Sequence, residues 1–336
     1  MRAVLFLAIF LVHLSYALLV VPIKKARVSN GAQSTPLNSY DDSTYVGVIS
    51  VGTPPKEFNV VFGTVDSNFW LVDSSCSDQQ CSGYPEAGYT KNKYDKDKSS
   101  TSISTVILWR LAATPFPNQT FGAATSLPQV FGYVMSDGVV GLGLSSKNDK
   151  ISPVIQNIVS QLPEPVFTMF LDRHIKPSKG SPGGSIVFGS ENVDNCDSDI
   201  FYTPVTSDTY WQFSVDKIQF DTYVSQKSSQ AISDASTDFL AMPTTPNCTQ
   251  FPCDGMQSSP KILITIAGKE LFVDNFEYIL DYELGGNKCV VAIFDISDTS
   301  YSVDYLLSEP FIRSYCTSYS ITDKKIGFAR AQHRDV

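Results

Sequence analysis

Four short stretches decide how this chain reads: Val60-Val61-Phe62-Gly63-Thr64-Val65, Gly138-Val139-Val140-Gly141-Leu142, Ala231-Ile232-Ser233-Asp234-Ala235-Ser236 and Tyr305-Leu306-Leu307-Ser308-Glu309. Each is an apolar run that breaks into a turn, and the four form two ordered pairs. The offset is 171 residues from Gly63 to Asp234 and 167 from Gly141 to Ser308. Similar elements at a nearly constant offset imply an internal duplication, meaning two β-rich lobes of like topology.

The neighbourhood of these stretches is also β in character. Residues 45–51 alternate, Gly52-Thr53-Pro54-Pro55 turns, and residues 58–62 and 69–72 are apolar runs. Twenty Gly, 19 Pro, 16 Tyr and 21 Phe suit many short strands joined by turns. With 336 residues, 43% hydrophobic and 18% charged, the chain can bury one large core or two middling ones, which excludes a disordered or collagen-like polymer. The formal net charge is −9, from 25 basic and 34 acidic residues, and no basic cluster offers a footprint for nucleic acid. Residues 91–104 read as a solvated Ser/Thr-rich loop. One helix is expected, capped by Ser152, with Pro153 in its first turn and Val154, Ile155, Ile158, Val159 and Leu162 on one face.

The N-terminus reads as a secretory signal over residues 1–17: Arg2, an apolar run over residues 3–14, and the small-x-small site Ser15-Tyr16-Ala17. A signal anchor extended by residues 18–21 is the alternative, although the run is broken and short of a full span. No later stretch reaches transmembrane length, so no membrane span is expected after signal removal. Residues 18–40 read as a flexible leader or remnant propeptide, residues 41–190 as the first lobe and 191–336 as the second. Seven cysteines fit an oxidising compartment. Cys76 and Cys81 could close a small loop, and the cysteine left over is taken to be Cys248. With no paired CxxC units, no HExxH, and only His174 and His333 beyond the signal, no metal is expected. Asn118-Gln119-Thr120 and Asn247-Cys248-Thr249 are candidate glycosylation sequons.

At these residues the chain resembles the pepsin-like aspartic peptidases, from about Tyr45 to Ala329. The landmarks are Val51-Gly52-Thr53-Pro54-Pro55, Ser67-Asn68-Phe69-Trp70, the Cys76/Cys81 loop, Asp137-Gly138-Val139-Val140-Gly141-Leu142, Tyr210-Trp211-Gln212 and Pro310-Phe311-Ile312-Arg313. The resemblance implies an all-β, bilobal fold with a cleft between two related lobes. It also implies a disulfide between Cys253 and Cys289, and an additional bridge from Cys196 to Cys316 is expected beside it. The family's chemistry needs two carboxylates, one per lobe, close enough to share a proton, so that one stays protonated while the other activates water. Each belongs to an Asp-Thr-Gly turn.

This sequence departs from that pattern at the centre. The first turn reads Gly63-Thr64-Val65 and the second Asp234-Ala235-Ser236. A lone Asp234 has no partner to hold its proton and could not act as both acid and base. Losing one such partner costs about 10² to 10⁴ in rate, more where the pair acts as a unit. Asp66 is a possible rescue, against which stands a solvent-facing or turn-capping role, and Val65 disfavours the tight turn. The Tyr-Gly flap that the family folds over substrate is missing between residues 102 and 117, where Ile107-Leu108-Trp109 could at most form a shortened one. The span 243–253 is also short, and Ser308 and Glu309 stand where Gly and Asp are common.

Other enzyme classes lack their signatures. There is no Gly-x-Ser-x-Gly elbow, no free Cys with a His partner and no nucleotide-binding loop, and Gly183-Gly184-Ser185 reads as a hairpin turn. The expectation is a pepsin-like homologue, secreted or held in an endomembrane or lysosomal lumen. It is read as catalytically inactive, monomeric and cofactor-free, binding a peptide or protein ligand in the interlobe cleft. The alternative is an acid endopeptidase of reduced activity.

Overall fold

The computed structural model describes residues 31–41, 43–102, 106–111, 114–144, 152–174, 178–191, 194–243 and 250–333. In the first half, strand Lys56–Gly63 runs parallel to Gly138–Gly141, with Val61 opposite Val139 and Gly63 opposite Gly141. Strand Phe69–Val72 lies antiparallel on the other side of Gly138–Gly141. In the second half Ser229–Ser233 runs parallel to Tyr305–Leu307, with Ile232 opposite Leu306, and Leu240–Met242 flanks it antiparallel. The repeat read from the sequence is thus one three-strand unit used twice. The first unit admits no side chain at two of its glycines: a Cβ on Gly138 would lie 2.2 Å from the Trp70 carbonyl oxygen, and one on Gly141 2.5 Å from the Asn68 nitrogen.

The fold is all-β and bilobal, and the lobes share a sheet. A 13-stranded sheet carries Phe201–Pro204, Lys325–Arg330 and Tyr315–Ser320 of the second half onto Val166–Leu171 of the first, then through Lys179–Phe188 and Gln33–Tyr40 to Thr44–Val51. All six residues of Val166–Leu171 are buried, as a central strand covered on both faces requires. Gln33–Tyr40 corrects the reading of a flexible leader for residues 33–40, because it is a full strand between Thr44–Val51 and Lys179–Phe188, while residues 18–30 lie outside the described residues. Thr35, Leu37 and Ser39 alternate inward, a period of two that mostly polar residues disguised. Gly183 and Gly184 lie inside the bulged strand Lys179–Phe188 rather than in a hairpin turn. A Cβ at Gly184 would meet the Phe170 carbonyl oxygen. The expected helix spans Val154–Ile158, runs on as a 3-10 turn over Val159–Gln161, and is entered through Pro153 rather than capped by Ser152.

Aromatic packing welds the halves. Trp211 is fully buried, its ring centroid lies 5.1 Å from that of Tyr319, and its Nε1 donates across the halves to the Leu142 carbonyl at 2.8 Å. Phe167 stacks on Tyr319 at 4.5 Å. Three disulfides join Cys76 to Cys81, Cys196 to Cys316 and Cys253 to Cys289, as the sequence reading expected. Cys248 and Asn247 lie outside the described residues.

The loop read as solvated from residue 91 is anchored at its start. Lys91 is 5% exposed, and its ammonium donates to the Ser136 carbonyl at 2.6 Å. Beside it the buried Asp137 carboxylate accepts from the Asn59 and Asn92 backbone nitrogens (2.8 and 2.6 Å) and from the Tyr89 hydroxyl (2.8 Å). Burial raises the Asp137 pKa, and burial pushes Lys91 down to about 8 against the opposing pull of Asp137.

Two measurements follow. The unfolded chain holds the Lys91 proton to about pH 10.4, so between the native and unfolded values the unfolded state binds more protons and stability rises with pH. The Tm of wild type relative to Lys91→Met should therefore climb from about pH 8 to about pH 10 and stay flat below that window. The Cys196–Cys316 bridge closes a 120-residue separation. Replacing both cysteines by Ser should destabilise by about 4–5 kcal/mol in urea unfolding, against about 2 kcal/mol for opening the five-residue separation at Cys76–Cys81.

Candidate functional site

The turns Gly63-Thr64-Val65 and Asp234-Ala235-Ser236 meet where the two halves face each other. Thr64 is fully buried; its hydroxyl donates to the Ser233 carbonyl at 2.8 Å and accepts from the Ala235 nitrogen at 2.9 Å. Ala235 carries no hydroxyl with which to return the pair of bonds. Ser233 Oγ instead pairs with the Tyr319 hydroxyl at 2.8 Å, and burial drives that phenol strongly upward in pKa.

Gly63 ends its strand opposite Ser236. A Cβ there would sit 3.5 Å from Ser236 Cβ and 3.7 Å from its Oγ, ordinary contact distances. Unlike Gly138 and Gly141, Gly63 is not demanded by packing. Asp234 is 1% exposed. Its Oδ1 accepts from Ser236 N (2.8 Å) and Ser236 Oγ (2.7 Å), and its Oδ2 accepts from Thr237 Oγ1 (2.6 Å). Three donors from its own turn therefore hold the carboxylate, while Ser236 itself is exposed.

Asp66 is exposed, and its Oδ1 accepts from Asn68 N at 3.0 Å and Asn68 Nδ2 at 2.7 Å, an Asx-turn within its own loop. Val65 packs on the cluster of Ile232, Ala241 and Leu306 in the second half, beside Tyr210, Ile296 and Tyr301. Burial first, then the charges of Asp234 and Asp66, pushes Tyr301 up to about 12.

A carboxyl group not singled out from the sequence lies four residues beyond Asp234. Burial raises the Asp238 pKa, as does the nearby Asp234 charge, while Arg313 and the Tyr282 hydroxyl (3.3 Å) oppose the shift. The only hint in the sequence is an acidic residue two positions before the buried strand Leu240–Met242.

The reading that the flap hairpin is missing between residues 102 and 117 is corrected: Val106–Leu111 and Thr114–Thr120 pair antiparallel and join Thr44–Val51, although without the Tyr-Gly pair. Its Trp109 is buried against Phe69 and Phe116, so this part of the hairpin belongs to the lobe core. A register shift between Ile107 and Trp109 leaves an extra residue on the facing strand, near the exposed, positive-φ Asn118. Among the described residues, sulfur and carboxyl groups gather at Cys76, Asp78 and Cys81 and at Cys253, Asp281 and Cys289. In both groups the sulfurs are spent in disulfides and offer no thiolate to a metal.

Paired β-units, turns meeting across two halves and a buried threonine tie define the architecture of the aspartic peptidases. The family model for eukaryotic aspartyl proteases matches residues 44–331, and the chain belongs to that family. Aspartic protease 1 of Caenorhabditis elegans is 35% identical over 336 residues, covering 89% of this chain and 85% of that protein. Aspartic protease 17 of the same organism is 32% identical, covering 89% and 86%, and cathepsin D of Dictyostelium discoideum is 28% identical, covering 90% and 87%.

The threonine tie gives a direct test. Thr64→Val keeps the shape but strands the Ser233 carbonyl and the Ala235 N–H, and should lower stability by about 1–3 kcal/mol in urea unfolding. Gly63→Ala should change it by less than about 1 kcal/mol, since its methyl meets only ordinary contacts.

Proposed function

We propose that this chain is a pepsin-like homologue that no longer hydrolyses peptide bonds and instead holds a peptide or protein segment between its lobes. The observation that carries the reading is the asymmetry of the two turns: Gly63 brings no carboxyl group to face Asp234, and both oxygens of Asp234 are engaged by Ser236 and Thr237. Peptide hydrolysis in this family requires two carboxyl groups sharing one proton. A single buried carboxylate held by three donors lacks the partner that would reprotonate the leaving amine. The one-sided threonine tie and the lack of any Tyr or Gly in the hairpin over residues 106–120 agree with this reading, which makes the chain a pseudoprotease.

The compartment belongs to the same proposal. A signal over residues 1–17, three disulfides and the exposed Asn118 sequon suit a secreted or lumenal glycoprotein. No helix among the described residues is long and apolar enough to cross a membrane. The second reading, an acid endopeptidase of reduced activity, is favoured by the retained Asp234, by relatives named as proteases and by the raised carboxyl of Asp238 nearby.

Purified mature chain is incubated with an unfolded protein substrate from about pH 3 to about pH 6, the range in which carboxyl pairs titrate. The expected result is no cleavage by wild type or by Asp234→Ala. Cleavage that disappears in Asp234→Ala would establish the second reading, and Asp66→Asn and Asp238→Asn would then show which carboxyl group supplies the missing partner.

A further inference from the structure

Among the described residues the strand Thr114–Thr120 pairs only with Val106–Leu111, so its other side is an open edge of the large sheet. An open edge presents N–H and C=O groups to any strand that meets it, and proteins blunt such edges. Pro115 and Pro117 already remove two donors, which is why prolines are tolerated in edge strands. Further along, Ile107 faces Gln119 and Trp109 faces Phe116, so Leu108 stands opposite both Pro117 and Asn118. That bulge turns two consecutive residues outward. Pro117 and Asn118 are exposed, whereas Phe116 and Gln119 on either side are each 1% exposed.

Gln119 anchors the bulge from within. Its Nε2 donates to the Ser152 carbonyl at 3.3 Å and its Oε1 accepts from Asn157 Nδ2 at 2.9 Å. Asn118 has a φ of 63°, a backbone that Asn adopts more readily than most residues, so the bulge accounts for an asparagine here. It does not account for Thr120. Asn118-Gln119-Thr120 has the Asn-x-Thr spacing, without proline at the middle position, that accepts N-linked sugar. No hydrogen bond among the described residues uses the Asn118 amide or the Thr120 hydroxyl, so neither side chain holds the hairpin together.

We infer, on the footing of the secreted or lumenal compartment proposed for the chain, that Asn118 carries an N-linked oligosaccharide that shields the open edge of this hairpin. The sugar comes from an oligosaccharide carried on a polyprenyl diphosphate. Asn118 Nδ2 forms a bond to C1 of the first sugar, the C1–O bond to the diphosphate breaks with its electron pair leaving on the diphosphate, and one amide proton is released. A bulky, hydrated group at the bulge denies the edge to a second strand, completing what the two prolines begin.

The full chain is expressed with its own N-terminus in a eukaryotic secretory cell line, and chain recovered from the lumen or medium is weighed before and after peptide N-glycosidase treatment. The expected result is a loss of mass on treatment, with aspartate left at position 118 in the peptide map. Asn118→Gln and Thr120→Ala should each lose one glycan, while Thr120→Ser, which keeps the acceptor spacing, should retain it. Thr120→Ala leaves the bulge asparagine in place and so separates sugar attachment from hairpin folding. Sedimentation of the secreted proteins reads the shielding: Asn118→Gln and Thr120→Ala should form dimers or larger species at concentrations where wild type and Thr120→Ser do not. An unmodified Asn118 in lumenal chain overturns the inference and leaves the compartment standing, whereas chain found only in the cytosol overturns both. Glycan loss with no change in sedimentation overturns the shielding.

Discussion

One buried hydroxyl sets the relation between the two halves. Thr64 Oγ1 donates to Ser233 and accepts from Ala235, so both of its hydrogen-bonding roles are spent across the interface. A hydroxyl with no exposed surface that lost either bond would leave unpaired polar groups in the core. The constraint therefore fixes Gly63 and Asp234 face to face wherever the rest of each lobe goes. Because Ala235 cannot reciprocate, the junction leans on other contacts: the Trp211 bond to Leu142, the Phe167–Tyr319 stack and the shared sheet. Val65 adds an apolar contact from the first turn onto the second half.

A buried ion network also joins the two halves. Arg313 and Glu277, each 1% exposed, pair at 3.0 Å, and Arg173 of the first half reaches the same carboxylate at 2.9 Å. His333 lies 3.0 Å from Asp172 and 3.8 Å from Glu277. Such groups are costly to desolvate, and removing one partner is far more damaging than replacing the whole set. The network thus specifies how the C-terminal segment docks more than it adds net stability.

The proposed loss of hydrolysis and the preservation of the scaffold have a common physical origin. The residues that shape the two turns are also those that hold the halves together, so the fold accommodates Gly63 beside Ser236 while Thr64 carries the tie. Gly63 itself meets no close neighbour, whereas Gly138 and Gly141 thread between backbone atoms and admit no side chain. Chemistry and packing are separable at the first position and inseparable at the other two.

The sequence by itself determined the duplicated pair of strand-and-turn elements, the family and the closure of the Cys76–Cys81 loop, because these rest on local periodicity, turn residues and short spacing. Asp66 as an Asx-turn residue was legible for the same reason, its partner being two positions away. The strand Gln33–Tyr40 was not, since its inward residues are Thr35, Leu37 and Ser39 and only a neighbouring strand on each side makes it one. Lys91 looked solvated because its spacing from Ser136 gives no sign that the two meet, and Asp238 carried no pattern at all. The meeting of Thr64 with Ser233 and Ala235 was decided only by the tertiary structure. Contacts between residues tens to more than a hundred positions apart depend on sheet register and on which faces pack, and neither is encoded in any short window of the chain.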